Sequence, residues 1–297
     1  MTALLLGALG LTLSLIAPGI LANARWPDRA PVAGVVLWQA LTLTSVLCAL
    51  GVVLAAPEEL TRAAGARHPE TVVALIFSLA VAATIVIRLL ISLARVTSRA
   101  RARRDRHRTL ADLLDRAERR EQTGGGEVRV LDGALPMAYC VPGRQPRVIL
   151  SDAVLQVLDR EQVDAVLAHE RAHLRHRHEL VMESFTAFYQ AVPAPLRSRV
   201  PLDAVHLLLE MVADDAARRR TGPAPLRAAL ERMADAVPLA EGAVAETRRR
   251  RLDRLELPES RVFTVAAGAA AAGLLVLPTV ILVVPWLGRA LDAWPFQ

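Results

Sequence analysis

The sequence contains no lysine, so all 36 of its basic side chains are arginine, and arginine placement alone sets the pattern of positive charge. Aromatic residues are scarce, at 4% of the chain. That scarcity leaves no stacking platform for single-stranded nucleic acid, and no helix-turn-helix is recognisable. Only two cysteines occur, Cys48 inside an apolar run and Cys140 far outside it, so no disulfide between them is expected. No internal repeat is visible.

What the chain has in excess is apolar sequence, 53% of its residues, and it is bunched. Four runs, at 3–22, 32–56, 72–94 and 262–287, are long enough to cross a bilayer as helices, which takes about 20 residues. Runs of this length fit the buried helices of a soluble core poorly. Ala22-Asn23-Ala24 has the small-x-small form of a signal-peptidase site, but no basic residue precedes the first run. It is therefore read as a membrane helix.

The segments RVTSRARARRDRHR (95–108) and RRRRLDRLELPESR (248–261) are densely basic, whereas PEELTRAAGARHPE (57–70), read as a loop, has more acid than base. By the positive-inside rule residues 95–261 are expected in the cytoplasm, and the 57–70 loop and both termini outside a plasma membrane that the chain crosses several times. The net charge of +6 sits beside the membrane runs, where anionic headgroups attract it, so the lipid bilayer is the expected partner and direct nucleic-acid binding is not expected. Arg88, in the inner half of the third run, is read as snorkelling to the cytoplasmic interface without further function.

Between the third and fourth runs lies enough chain for one compact domain. It opens with TLADLLDRAERRE, whose Leu110, Leu113, Leu114 and Ala117 share a helical face, and Gly124-Gly125-Gly126 ends that helix. Extended pieces GEVRVL, MAYCV and RVIL follow, then a short helix SDAVLQVL. Asp159 and Gln162 form a capping-box pattern that starts a long helix reaching Pro193, and a further helix runs from Pro201 to Thr221-Gly222-Pro223. The expected fold class is a mainly α membrane protein, with four transmembrane helices and a cytoplasmic α+β domain inserted between helices 3 and 4. Its parts are 1–95 with three transmembrane helices, the domain at 96–261, the fourth helix at 262–287 and a short outer tail at 288–297.

His169-Glu170-Arg171-Ala172-His173 fits H-E-x-x-H on the long helix. Residues i and i+4 lie on one face one turn apart, so two imidazoles can reach one zinc ion. Glu170 lies about 100° round the helix, beside the metal, where it can take a proton from water and pass it to a leaving amine. A catalytic zinc needs a third protein ligand. His176 is about 10 Å along the axis from His169, and no glycine is present to break the helix. His178 points to the opposite face and is read as solvated or as the partner of an acid. His206 and Glu210 lie one turn apart on the later helix, and Glu210 is preferred. Asp214, four residues on, can accept the free N–H of a ligating imidazole, and Leu207, Leu208, Leu209, Met211 and Val212 surround Glu210, a setting in which a glutamate needs a partner. The expected site is one zinc per chain on His169, His173 and Glu210, with water fourth. Tyr189 and His206 have the chemistry to stabilise an oxyanion, but core packing and a helix face explain them better.

The segments RVILSDAVLQVL, LDREQVDAVLAHERAHLRHRH and EMVADDAA together resemble the BlaR/MecR-type family of membrane metallopeptidases. These are gluzincins, related more distantly to the prenyl-protein and heat-shock membrane peptidases that share H-E-x-x-H followed by E-x-x-x-D. The resemblance covers about 126–220, and three apolar spans before the domain with one after it agree with the family layout. It implies zinc on His169, His173 and Glu210, Glu170 as general base and Asp214 as the residue orienting a ligand. It also implies that MAYCV, through Ala138, Tyr139 and Cys140, pairs with substrate as an added strand, with Cys140 where a small residue is expected. Relatives that sense β-lactams carry an extracellular penicillin-binding domain after the last span. Here about ten residues follow the fourth run, so no antibiotic-sensing role is expected. The function implied is a membrane zinc endopeptidase that cleaves a protein on the cytoplasmic side, with a winged-helix transcriptional repressor in a signalling pathway as the family's usual substrate. Two alternatives remain: a non-proteolytic signalling or scaffold protein with a structural or vestigial zinc site, and a membrane-anchored nucleic-acid binder acting through 95–108. The sequence carries no sign of oligomeric state.

Overall fold

Apolar helices frame the chain. The computed structural model describes residues 1–65, 69–114, 127–143, 146–194, 197–236 and 242–292. Helices α1 (Thr2–Leu15) and α2 (Ala17–Asn23) are separated by a kink at Ile16, just before Pro18, which has no N–H to donate. A 3-10 turn, Trp26–Arg29, leads into α3 (Pro31–Gly65), followed by α4 (Pro69–Leu114). The last helix is α11 (Arg261–Asp292). Four stretches, Thr2–Asn23, Pro31–Gly65, Pro69–Ala102 and Arg261–Gly288, are long and apolar enough to cross a membrane.

Three of these helices run past their expected ends. The 57–70 segment is not a loop: α3 continues through Pro57 to Gly65, and α4 starts at Pro69, with 66–68 outside the described residues. Glu59 explains part of this. Its Oε1 accepts from the N–H groups of Thr2 (2.7 Å) and Ala3 (3.4 Å), which have no partner inside α1, so the added turns of α3 cap the first helix. The arginine-rich stretch after residue 94 continues α4 without a break to Leu114. The rest of TLADLLDRAERRE, with Gly124-Gly125-Gly126, lies outside the described residues. Likewise α11 reaches Asp292, so the first part of the expected 288–297 tail is helical and 293–297 lie outside the described residues.

Between α4 and α11 the chain forms a three-stranded sheet and six helices among the described residues. The strands are β1 (Glu127–Leu131), β2 (Ala138–Val141) and β3 (Arg147–Ser151), in the order β1-β3-β2. β1 runs parallel to β3 with Val128 opposite Val148, and β2 runs antiparallel with Cys140 opposite the same Val148. Then come α5 (Asp152–Val157), α6 (Arg160–Arg175), α7 (His178–Ala191), α8 (Val200–Thr221), α9 (Pro223–Asp235) and α10 (Ala243–Leu255). The capping box is present: Asp159 Oδ1 accepts from the Gln162 N–H at 3.0 Å, and Gln162 Oε1 accepts from the Asp159 N–H at 3.2 Å.

The helix expected to reach Pro193 is broken into α6 and α7 without a glycine. Arg177 adopts φ 49° and ψ 47°, the left-handed conformation, after the His176 N–H has closed α6 on the Ala172 carbonyl. The turn redirects the chain so that His178 and Phe185 are buried. It also docks α7 on α4, where Arg88 Nε donates to the Ala191 carbonyl (2.6 Å) and Ser92 Oγ to the Ala187 carbonyl (2.7 Å). Arg88 therefore holds the C-terminus of α7 instead of snorkelling.

Two cores meet at α8. Leu207, Leu208, Leu209 and Met211 pack with Leu13 of α1, Val35, Trp38 and Leu41 of α3 and Phe185 of α7. Gly34 is needed there, because a Cβ would come within 3.0 Å of Leu208 and 3.1 Å of Pro27. On the other side Ala165 and Ala168 of α6 pack with Ala217 of α8, Leu226 of α9 and Leu255 of α10. The sheet closes over α5, α6 and α9 through Val128, Val148, Leu150, Val154, Val166 and Ala229.

The left-handed Arg177 gives a stability test. Arg177→Gly is expected to be neutral or stabilising by up to about 1 kcal/mol, and Arg177→Ile to cost about 1–2 kcal/mol, in thermal unfolding of the detergent-solubilised chain.

Candidate metal centre

Small residues let α6 and α8 approach closely. Ala165, Ala168 and Ala172 line the buried side of α6, and Ala213 and Ala217 lie on α8. Across this seam the H-E-x-x-H histidines face the carboxylate of Glu210. Nε2 of His169 lies 3.1 Å from Nε2 of His173, and these atoms lie 3.5 Å and 3.4 Å from the two oxygens of Glu210. Among the described residues these three form a group able to hold a metal ion. Ligands about 2.0–2.1 Å from a tetrahedral zinc stand roughly 3.3 Å from one another. The triangle already present therefore fits such an ion without rearrangement.

The outward nitrogens of the two rings are also engaged. Nδ1 of His169 lies 2.9 Å from Oδ1 of Asp214, the carboxylate one turn beyond Glu210. Nδ1 of His173 lies 2.8 Å from Nδ1 of His178. His178 is thus neither solvated nor paired with an acid: it is 5% exposed, because the turn at Arg177 folds it back behind His173. His176, exposed, stacks on His178 with ring centroids 5.8 Å apart and contributes no ligand to the group.

Arg251 of α10 completes the centre. Its guanidinium donates to both oxygens of Asp214, at 2.8 Å and 2.7 Å, and lies 2.9 Å from Glu210 Oε2. Sequence reading missed it because it is the last of four consecutive arginines, taken together as membrane-side charge. The available signal was periodicity: Arg251 stands one turn before Leu255, on the side of α10 that is buried. Asp215, next along α8, is also buried, and Arg254 Nη2 donates to it at 2.8 Å.

The electrostatics follow from this packing. Burial alone would raise the carboxyl pKa of Asp214, but the adjacent Arg251 guanidinium holds it below the usual range. Burial opposes ionisation of Glu210 too, and the His169 hydrogen bond and Arg251 overcome it, leaving the carboxyl strongly acidic. Burial would lower His169, yet hydrogen bonds to Asp214 and Glu210 lift it to about 9. His173, desolvated and close to His169, is pushed down to about 4, and His178, desolvated beside His173, to about 3. Glu170, next along α6 from His169, is raised by desolvation.

The Cys140 thiol of β2 lies beside the Glu170 carboxylate. Desolvation, and then the charges of Glu170 and Glu179, push that thiol up to about 12, so it stays protonated. Among the described strands β2 pairs only with β3, which places Ala138, Tyr139 and Cys140 on a sheet edge beside α6. The structure gathers neither oxyanion candidate at the triad: Tyr189 packs against the Arg197 guanidinium, 5.1 Å from its ring centroid, and His206 is exposed.

Comparison with known proteins agrees with this chemistry. The sequence profile of peptidase family M48 matches residues 100–267. A protease HtpX homologue of Syntrophotalea carbinolica is 41% identical over 58 residues, covering 18% of this chain and 20% of that protein. The chain thus matches about one fifth of the length of that curated relative. No solved structure matches.

Proton release tests the centre. Below pH 9 the metal-free protein holds on His169 a proton that a metal must displace. Zinc affinity, measured by chelator competition, is expected to rise about tenfold per pH unit from pH 7 to about 9 and then to level off. A flat profile over that range would show that the metal displaces no proton from His169.

Proposed function

The chain belongs to peptidase family M48, and from that premise we propose that it is a membrane-embedded zinc endopeptidase that cleaves a protein substrate. The observation supporting this reading is the triangle of His169, His173 and Glu210 with Glu170 beside it on the same helix. When bound, zinc supplies Lewis acidity that polarises the scissile carbonyl and makes a water molecule more acidic.

The chain's own groups do the rest. Glu170 accepts a proton from the attacking water and delivers it to the leaving amine, and its raised pKa suits a group that must both hold and release that proton. Asp214 and His178 fix the orientation of the two ligand rings, leaving Nε2 of each for the metal. The substrate lies along the free edge of β2, bonded to the backbone of Ala138, Tyr139 and Cys140 as an added strand. Binding there places the scissile bond against α6, which packs on β2.

The catalytic unit, residues 96–261, is proposed to lie on the cytoplasmic side of the plasma membrane with both termini outside. That arrangement rests on the arginine-rich flanks of the third and fourth spans. Within this setting the likeness of the zinc-helix segments to BlaR/MecR-type peptidases favours a signalling role, with a winged-helix repressor as the class of substrate.

Glu170→Gln is the deciding variant. It is expected to retain zinc, measured by elemental analysis of the purified full chain, and to lose proteolysis by roughly 10²–10⁴-fold. Undiminished cleavage or unchanged function in cells would overturn the enzyme reading in favour of a non-proteolytic scaffold.

A further inference from the structure

We propose that Asp28, in the turn between the first two apolar spans, is a positioning residue for the metal centre and acts on it through α10. The inference rests on Glu210 as a metal ligand.

Arg250 and Arg251 are adjacent on α10, so their side chains leave the helix about 100° apart and grip different parts of the protein. Arg251 holds the metal-side carboxylates Asp214 and Glu210. Arg250 holds Asp28, its Nε 3.1 Å from Oδ2 and its Nη2 2.5 Å from Oδ1. This second pair is not a loose surface contact: the two side chains are only 20% and 14% exposed. Bidentate geometry and partial burial are the conditions under which an arginine–carboxylate pair defines position.

The turn bearing Asp28 is itself fixed. The Ala30 N–H donates to the Pro27 carbonyl at 3.0 Å, closing the turn, and the Ser260 N–H donates to the Arg29 carbonyl at 2.9 Å, tying it to the entrance of α11. Trp26 packs against Phe263 of α11, and Arg25 reaches Glu246 of α10 at 3.3 Å. The turn therefore joins three places: the start of α3, the start of α11 and one side of α10.

Together with Arg254 on Asp215 and Leu255 in the core, the two arginines set the rotation of α10 about its axis. A guanidinium stands roughly 8 Å from its helix axis, so a rotation of about 10° moves it by more than 1 Å, beyond what a good hydrogen bond tolerates. Releasing Asp28 removes the anchor next in sequence to Arg251 and so loosens Arg251's three-point hold. Glu210 is left with a less defined carboxylate and Asp214 with a poorer counter-ion. The structure thus assigns to a residue outside the matched segment 100–267 a part in shaping the metal site.

The test is a double-mutant cycle in the full chain, reconstituted in lipid nanodiscs. Asp28→Asn and Arg250→Gln are each expected to weaken zinc binding about tenfold by chelator competition, and to lower kcat on a test protein with little change in KM. The double variant is expected to be no worse than either single one, because both break the same link. Asp28→Glu should recover most of the lost affinity. Arg249→Ala, on the exposed face of the same helix, should match the unmodified chain. Additive losses, or a lowered melting temperature with zinc affinity unchanged, would overturn the proposal and leave the pair as structural support. His169→Ala separates the two levels: if it too leaves zinc affinity unchanged, the metal-centre reading fails and takes this inference with it.

Discussion

Two carboxylates one turn apart on α8, Glu210 and Asp214, must stay ionised where water is nearly absent; Asp214 is 1% exposed. An isolated buried carboxylate would take up a proton or destabilise the fold, and removing one partner of a buried pair costs about 3–5 kcal/mol. The rest of the centre can be understood as the answer to this constraint. Without metal, Arg251 and the protonated His169 balance the two charges. A metal held by His169, His173 and Glu210 would take the place of the His169 proton, with Arg251 still facing the same two carboxylates. Arg251 is common to both states, so the pocket keeps its shape as a metal exchanges for a proton.

The same helix carries a second duty. Around Glu210, Leu207, Leu208, Leu209 and Met211 are buried among side chains of α1, α3 and α7. In a soluble peptidase a ligand helix of this kind would pack on its own domain. Here its apolar side is completed by Trp38, Val35 and Leu41 of a helix long enough to cross a membrane. The site is consequently built at a seam between the apolar helices and the sheet-bearing part, and neither side holds α8 alone. Arg88 and Ser92, on α4, extend the seam by donating to carbonyls in the last turns of α7.

How far the sequence could be read depended on how local each cause was. His169 and His173 are paired by helix periodicity alone, Asp159 and Gln162 by capping geometry, and Asp214 by its one-turn distance from Glu210; all of these are short-range. The features that could not be read depend on distant partners. Arg251 is one of four consecutive arginines; its spacing from Leu255 marks the buried side of α10, but its role depends on the buried carboxylates of α8. The turn at Arg177 contradicts local preference, since arginine gains nothing from φ 49°. It is held by what it allows, the burial of His178 and the docking of α7 on α4. Residues 57–65 look like a polar loop until the backbone N–H groups at the start of α1, more than 50 residues away, are seen to need Glu59.

The break at Arg177 also explains an asymmetry between the rings of His169 and His173. Had the helix continued, position 178 would have pointed away from position 173, and among the described residues His178 is the group that meets Nδ1 of His173. The left-handed residue turns His178 back, and one imidazole comes to support another. His169 leans on a carboxylate, which makes a ring more basic and a stronger ligand. His173 leans on a neutral ring kept neutral by burial and by its histidine neighbours. A neutral acceptor can fix the tautomer of His173 without adding negative charge to a pocket that already holds Glu170, Glu210 and Asp214. The strain at Arg177 is therefore tied to charge balance: an aspartate behind His173 would add a further buried carboxylate, and α10 has no second Arg251 to neutralise it.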